Sequence, residues 1–234
     1  MKILGLESSG LVASVAVVED GIVRAEYTTD YKKTHSQTLL PMLDEVKQMI
    51  DLDLESVDAI AISAGPGSFT GLRIGAATAK GLGLALNKPL VEVPTLEGLA
   101  FNLWGSADLI CPIMDARRNQ VYTGIYEFTA DGEKMELQVV QEQCAEDIRE
   151  LLDALNRMGR CVIFLGDGVP VYREAIQQNL QVPYRLAPAG SNRQRAASVA
   201  TLGALYYEQG RVVSARDHQP EYLRKSQAER NLKE

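Results

Sequence analysis

Apolar residues recur along this chain in two rhythms, short strand-like runs and longer stretches with a helical period. ILGLE (3–7) is an apolar run that ends in an acid, and ASVAVV (13–18) and IVRAEYTT (22–29) follow it across the turn Glu19-Asp20-Gly21. Asp-Gly between two such runs is a hairpin signal. SQTLLPMLDEVKQMI (36–50) sets Leu39, Leu43, Val46 and Ile50 on one face of a helix, so Pro41 must lie near the first turn or bend it. VDAIAISA (57–64) reads as a buried strand, a glycine-rich loop and a helix to about Leu86 come next, and LVEVP (90–94) is a short strand.

The second half repeats that order. LICPIMDA (109–116) is a strand ending in an acid, QVYTGIYEF (120–128) alternates, a turn is expected at 130–132, and EKMELQVVQ (133–141) returns. AEDIRELLDALNRM (145–158) has helical period, CVIFLG (161–166) is a buried strand, and VPVYREAIQQN (169–179) opens a helix after Gly166-Asp167-Gly168. Both halves spell strand, strand, strand, helix, strand, helix, which predicts two lobes of one duplicated design. The expected division is an N-terminal lobe at 1–105, a C-terminal lobe at 106–215 and a tail at 216–234. A further helix, Arg195 to Gln209, ends at Gly210, a residue suited to the position after a helix. The tail has no apolar period beyond Tyr222 and Leu223 and is expected to dock loosely or to order on binding.

Composition narrows the classes. With 234 residues, 46% of them hydrophobic and 24% charged, the chain can bury a substantial core. A net charge of −7 is the reverse of a free-standing nucleic-acid binder's. Three widely spaced cysteines, Cys111, Cys144 and Cys161, form no C-x-x-C pair, which fits a reducing compartment. Glu7 and Ser8 stand where a signal peptide needs an apolar run, and the smoothest stretch, Ile74 to Leu86, is too short to span a bilayer. The expectation is a cytoplasmic protein without membrane contact.

The densest cluster of candidate chemistry is AGPGSFTGLRIG (64–75), where a strand gives way to a helix. No Lys-Ser/Thr follows its second glycine, so it is not a P-loop, and its glycine spacing is one residue too long for the dinucleotide fingerprint. A phosphate could sit on the N–H groups of Gly67 to Thr70, or the segment could be a tight turn capped by Ser68 or Thr70. The helix behind favours a third reading. Gly71, Gly75, Ala79 and Gly83 recur every fourth residue, and the helical glycines 71, 75, 81 and 83 cost roughly 1 kcal/mol each relative to alanine. Close approach of a neighbour along the helix offsets that cost, whether the neighbour is the other lobe or a second protein. The strand-end acids Glu7, before Ser8-Ser9-Gly10, and Asp115, before Ala116-Arg117, could hold magnesium on a nucleotide, or be solvated turn residues. Only two histidines occur, and His35 is followed at i+4 by Leu39, so no histidine metal site is readable. Arg193, Arg195, Arg211, Arg216, Arg224, Lys225 and Arg230 crowd the last fifth and are read as solvated surface rather than an RNA patch.

HSQTLLP (35–41), AGPGSFTGLRIG (64–75), MDARRNQVY (114–122), GDG (166–168) and EYLR (221–224) together resemble the TsaB (YeaZ) family, in family order and over nearly the whole chain. Glu7 departs from the aspartate usual in the family's opening strand. The resemblance implies an α/β chain with the duplicated actin-like, Hsp70-like ATPase (ribonuclease H-like) fold of two βββαβα lobes. It implies a non-catalytic, dimerising subunit of the complex that makes threonylcarbamoyladenosine beside the tRNA anticodon. Its partners would be the metal-dependent transferase TsaD and the ATPase TsaE, with tRNA reached through the complex and a homodimer formed alone. ATP and metal are expected on those partners and no cofactor in this chain. Helices 36–50 and 70–86 would form the docking face through Leu39, Met42, Leu43, Val46, Leu72, Arg73, Gly75, Ala76, Ala79, Lys80 and Gly83. On this reading a bulky residue at Gly75 or Ala79 abolishes the heterodimer and leaves the fold intact. Glu7, Ser8, Ser9, Gly67, Asp115, Gly166, Asp167 and Gly168 would be vestiges of a nucleotide site. The rivals are a stand-alone nucleotide-dependent kinase or ATPase using Glu7, Asp115 and the glycine turns, a metallopeptidase, and a self-assembling structural protein.

Overall fold

The computed structural model describes residues 1–31, 34–131 and 134–224, and the chain forms two compact units. The first comprises Met1–Gly98 together with the chain from Gln194 onward, and the second comprises Leu99–Arg193. The first contains β1 (Lys2–Glu7), β2 (Ala13–Glu19), β3 (Ile22–Thr29), α1 (His35–Met49), β4 (Ala59–Gly65), α2 (Phe69–Leu86) and β5 (Leu90–Pro94). A short helix, α3 (Thr95–Ala100), leads out of it. The second contains β6 (Leu109–Asp115), β7 (Gln120–Asp131), β8 (Lys134–Asp147), α4 (Ile148–Met158), β9 (Val162–Leu165), α5 (Gly168–Asn179) and β10 (Tyr184–Leu186). The last helix, α6 (Ala196–Glu208), belongs to the first unit.

Each unit holds one five-stranded mixed sheet, ordered β3-β2-β1-β4-β5 in the first and β10-β9-β6-β7-β8 in the second. In both, the first three strands pair antiparallel and the later ones add in parallel on the other side of the first strand. The duplicated order expected from the sequence is therefore present strand for strand.

In the first unit, alternation along the strands feeds two faces. Leu4, Leu6, Val15, Val17, Ile60 and Ile62 point to a core completed by Leu39, Met42, Leu43 and Val46 of α1 and Ala79 of α2. Burying those four α1 side chains contributes about 6–12 kcal/mol before chain entropy is counted. On the opposite face Gly5, Ala16 and Ala61 are small, and α6 lies on them. A Cβ on Gly5 would come within 2.4 Å of the Ala196 carbonyl, and one on Gly203 within 2.5 Å of Ala61 Cβ. This close fit places α6 with the first sheet, not with a C-terminal lobe at 106–215. β1, β2 and β4 are covered on both faces, which is why they read as nearly unbroken apolar runs, while β3 at the edge stays largely exposed.

The turn at Asp20-Gly21 has φ of 50° and 75°, as a two-residue hairpin turn requires. Gly210 has φ of 73° just beyond α6, the position expected for it. Pro41 lies in the second turn of α1, past the first, with its ring exposed. The helical period read at 145–158 begins too early. Ala145, Glu146 and Asp147 pair with Tyr122, Val121 and Gln120 as the end of β8, and Asp147 then caps α4 by accepting from the Arg149 N–H at 2.8 Å. The turn expected at 130–132 ends outside the described residues. Among the described residues, no helix is long and apolar enough to cross a membrane.

Candidate docking face and strand-end turns

Ser68 begins α2 in extended conformation, and its Oγ accepts from the Gly71 N–H at 3.4 Å. Its own N–H donates to the Ser9 carbonyl at 2.6 Å, so the turn after β1 abuts the start of the helix. The approach is close enough to demand glycine. A Cβ on Gly67 would meet the Ser9 carbonyl oxygen at 2.2 Å, on Gly71 the Ser8 carbonyl oxygen at 2.1 Å, and on Gly75 Ser8 Oγ at 2.3 Å. Further along, a Cβ on Gly83 would meet Ala215 Cβ at 2.7 Å. The Ser8 hydroxyl donates to the Gly71 carbonyl at 2.9 Å, and His35 Nε2 lies 2.9 Å from the Gly10 carbonyl, which ties α1 to the same turn.

The stripe Gly71-Gly75-Ala79-Gly83 is thus filled by the chain itself. Leu39, Met42, Leu43, Val46, Leu72, Ala76 and Ala79 are buried, none more than 5% exposed, and the apolar face of α1 lies in the first unit's core. These residues do not form an exposed face. A bulky residue at Gly75 or Ala79 would strike the chain's own turn or core, so the expectation of an intact fold is corrected: such variants disrupt the unit itself. The outer side of α2 presents other residues. Thr70, Arg73, Ala77, Gly81, Leu84 and Ala85 are exposed, Leu84 by 60%, and nothing lies within 4 Å of a Cβ placed on Gly81. On α1 the exposed positions include Leu40 and Met49.

Arg73 and Lys80 hold the segment 216–222. Lys80 Nζ donates to the Arg216 and His218 carbonyls, each at 2.9 Å. The Arg73 guanidinium lies 4.0 Å over the Phe69 ring, and Nε donates to the Tyr222 hydroxyl at 3.4 Å. The Tyr222 and Phe69 rings are 4.7 Å apart, and the Glu221 N–H donates to the Ala64 carbonyl at 2.7 Å. Buried His218 sets Nδ1 2.6 Å from Glu92 Oε1. Residues 216–222 therefore dock through specific contacts instead of loosely, and 225–234, with Lys225 and Arg230, lie outside the described residues. Of the other late basic residues, Arg195 pairs with Glu26, Arg193 donates to the Gly166 carbonyl at 3.1 Å, and Arg211 lies 3.5 Å over the Tyr206 ring.

The two strand-end acids sit in different surroundings, each within its own unit. Glu7 is 1% exposed. Its Oε1 accepts from the Ser9 N–H and hydroxyl, both at 2.6 Å, and its Oε2 accepts from the Ser63 hydroxyl. Burial raises its pKa above the ordinary value, and these donors only partly offset the rise. Asp115 is half-buried, and its Oδ1 accepts from the Arg117 N–H at 2.8 Å and the Tyr172 hydroxyl at 3.0 Å. Asp167 Oδ1 accepts from the Asp115 N–H at 3.3 Å, and burial raises the Asp167 pKa. A Cβ on Gly166 or Gly168 would meet the Ile113 carbonyl oxygen at 2.2 or 2.9 Å, the same close approach that the first unit makes at Gly67. Among the described residues, no three His, Cys, Asp or Glu side chains are grouped to hold a metal ion.

Comparison with known proteins gives the family and the fold. The family model described as "TsaD: tRNA N6-adenosine threonylcarbamoyltransferase" matches residues 23–232. The chain is 33% identical over 229 residues, 98% of its length and 96% of the relative's, to "tRNA threonylcarbamoyladenosine biosynthesis protein TsaB" of Bacillus subtilis strain 168. The chain belongs to the TsaB (YeaZ) family. The solved structure of YeaZ from Pseudomonas aeruginosa superposes with a TM-score of 0.78 at 28% identity, covering 95% of this chain and 99% of that one. An inorganic polyphosphate/ATP-glucomannokinase from Arthrobacter sp. strain KM, 11% identical with a TM-score of 0.50 over 89% of this chain and 99% of that one, shares the fold alone. The fold is the duplicated actin-like, ribonuclease H-like α/β fold.

Sequence reasoning missed Ser63, whose hydroxyl holds Glu7, and the outer stripe of α2. It also missed the Phe69–Arg73–Tyr222 contact, although both segments stood out as motifs. Ala77 and Gly81 carried the one available signal: small exposed residues inside a helix with no glycine-demanding neighbour in the chain.

Proposed function

We propose that this chain is a non-catalytic docking subunit of the cytoplasmic complex that makes threonylcarbamoyladenosine beside the tRNA anticodon. It holds the metal-dependent transferase TsaD, TsaE joins the pair, and tRNA is reached through the complex. ATP and metal act on the partners. The observation that carries this reading is the outer side of α2. A helical glycine costs about 1 kcal/mol relative to alanine, and Gly81 faces open space, so nothing in the chain offsets its cost. A partner helix crossing at Ala77 and Gly81 does, because small residues let backbones approach closely. Exposed Leu84 and Leu40 then supply apolar contact. Two further facts support the reading: membership in the TsaB family, and the Ser9 carbonyl at the start of α2, where a phosphate would otherwise sit. In the absence of TsaD the same face pairs two copies of this chain.

Co-purification with TsaD from the native cell tests it. Gly81→Trp and Ala77→Trp should each lose TsaD without unfolding the monomer, Gly81→Trp melting no lower than wild type. Retention of TsaD by both variants would place the interface elsewhere.

A further inference from the structure

We propose that a groove in the second unit, about 710 Å³ in volume, binds a phosphate ester through Arg117, Arg118 and Arg149. The groove lies between the turn joining β6 to β7, the start of α4 and the side of α5, and it is not lined by Gly166 or Gly168. Three acids also line it, but each is already engaged by a neutral donor. Asp115 accepts from the Tyr172 hydroxyl and the Arg117 N–H, Asp147 from the Arg149 N–H at 2.8 Å, and Glu174 from the Gln178 side-chain amide at 2.9 Å. No described residue forms a hydrogen bond or ion pair with any of the three guanidinium groups. The groove therefore offers three unspent cationic forks, the donor geometry that grips phosphate oxygens in pairs. The backbone is shaped to present them. Arg117, Arg118 and Asn119 are consecutive left-handed residues with φ of 62°, 56° and 59°, pinned where the Asn119 carbonyl accepts from the Ile148 N–H at 3.1 Å. Glycine would hold that turn with less strain, so the arginine side chains answer to something other than folding.

The phosphate ester can belong to an RNA backbone or to a free nucleotide. RNA as the source rests on the function proposed above; the phosphate chemistry does not. The test uses the full chain and its R117A/R118A/R149A variant, with K47A/R157A/R216A as a control of equal charge change. Binding of labelled unmodified tRNA is followed by anisotropy from about 50 to 200 mM salt. ATP and inorganic phosphate are titrated in parallel by calorimetry. The groove variant should bind tRNA at least tenfold more weakly, with the salt slope reduced by about 2, while the control stays near wild type. Arg118→Gly should raise the melting temperature while weakening binding, a combination a merely structural arginine would not give. If the groove variant loses ATP or phosphate but keeps tRNA, the site stands and its source is a free nucleotide. If wild type binds none of the three ligands, or the groove variant matches the control, the proposal is overturned. A groove variant that still co-purifies with TsaD separates this outcome from failure of the docking reading.

Discussion

Two glycines on α2 should respond oppositely to the same substitution. Gly81→Ala adds a methyl group where nothing lies within 4 Å, and the helix gains about 0.8–1 kcal/mol from alanine's propensity. In a chain of this length that is a rise of roughly 2–4 °C in Tm. Gly71→Ala earns the same propensity gain but puts its Cβ 2.1 Å from the Ser8 carbonyl oxygen. An ordinary contact needs more than an ångström of extra separation, and the obstacle is backbone. That turn is also anchored by the Ser68 N–H on the Ser9 carbonyl, so it cannot swing away freely. Overpacking of this kind costs about 1–3 kcal/mol, which leaves Gly71→Ala a net destabiliser by up to about 2 kcal/mol, or several degrees. Differential scanning calorimetry at several protein concentrations reads both effects and separates them from self-association. If Gly71→Ala stabilises the chain, or Gly81→Ala lowers Tm independently of concentration, the assignment of inner and outer sides of α2 is wrong.

Glu7→Gln should change how stability depends on pH. The folded-state pKa of Glu7 is raised, so its contribution is fully present below the unfolded value near 4.5 and lost as pH rises through the folded one. Urea unfolding from pH 4 to 8 should show wild type losing ground to Glu7→Gln as pH rises; the reverse trend would mean burial does not dominate at that carboxyl. Tyr222→Ala removes a ring packed at a tilt against Phe69 and touching Arg73, and should lower stability by about 1–2 kcal/mol in urea melts. Lys80→Met leaves the Arg216 and His218 carbonyls without their shared cation, and should speed proteolysis after residue 215 without a matching fall in Tm.

Much of the fold was legible because burial on both faces leaves its mark on sequence. The apolar runs at 3–7, 13–18 and 109–116 emerge as strands, and Asp20-Gly21 announces its own hairpin. Other features depend on partners that a linear reading cannot see. The helical period at 145–158 is real, but β-pairing of Glu146 with Val121 holds the first residues extended. β10 has three residues and little pattern of its own. α6 follows the second lobe in sequence, yet Gly5, Ala16 and Ala61 make the first sheet the surface that accepts it. The burial of most residues named for the docking face was hidden for a related reason. α2 carries small residues on both sides, and periodicity marks the lines Gly71-Gly75-Ala79-Gly83 and Ala77-Gly81 without saying which one meets the chain's own turn. Buried Leu72 and Ala76 settle that only in three dimensions.

On the proposed function, this chain supports threonylcarbamoyladenosine synthesis by docking through the outer side of α2. The most direct measurement depletes the protein in its own cell and quantifies the nucleoside in digested tRNA by mass spectrometry. The expected result is loss of the nucleoside, restoration by the wild-type chain, and no restoration by a folded Gly81→Trp variant. A nucleoside level unchanged by depletion would contradict the role itself, and full restoration by Gly81→Trp would contradict the face.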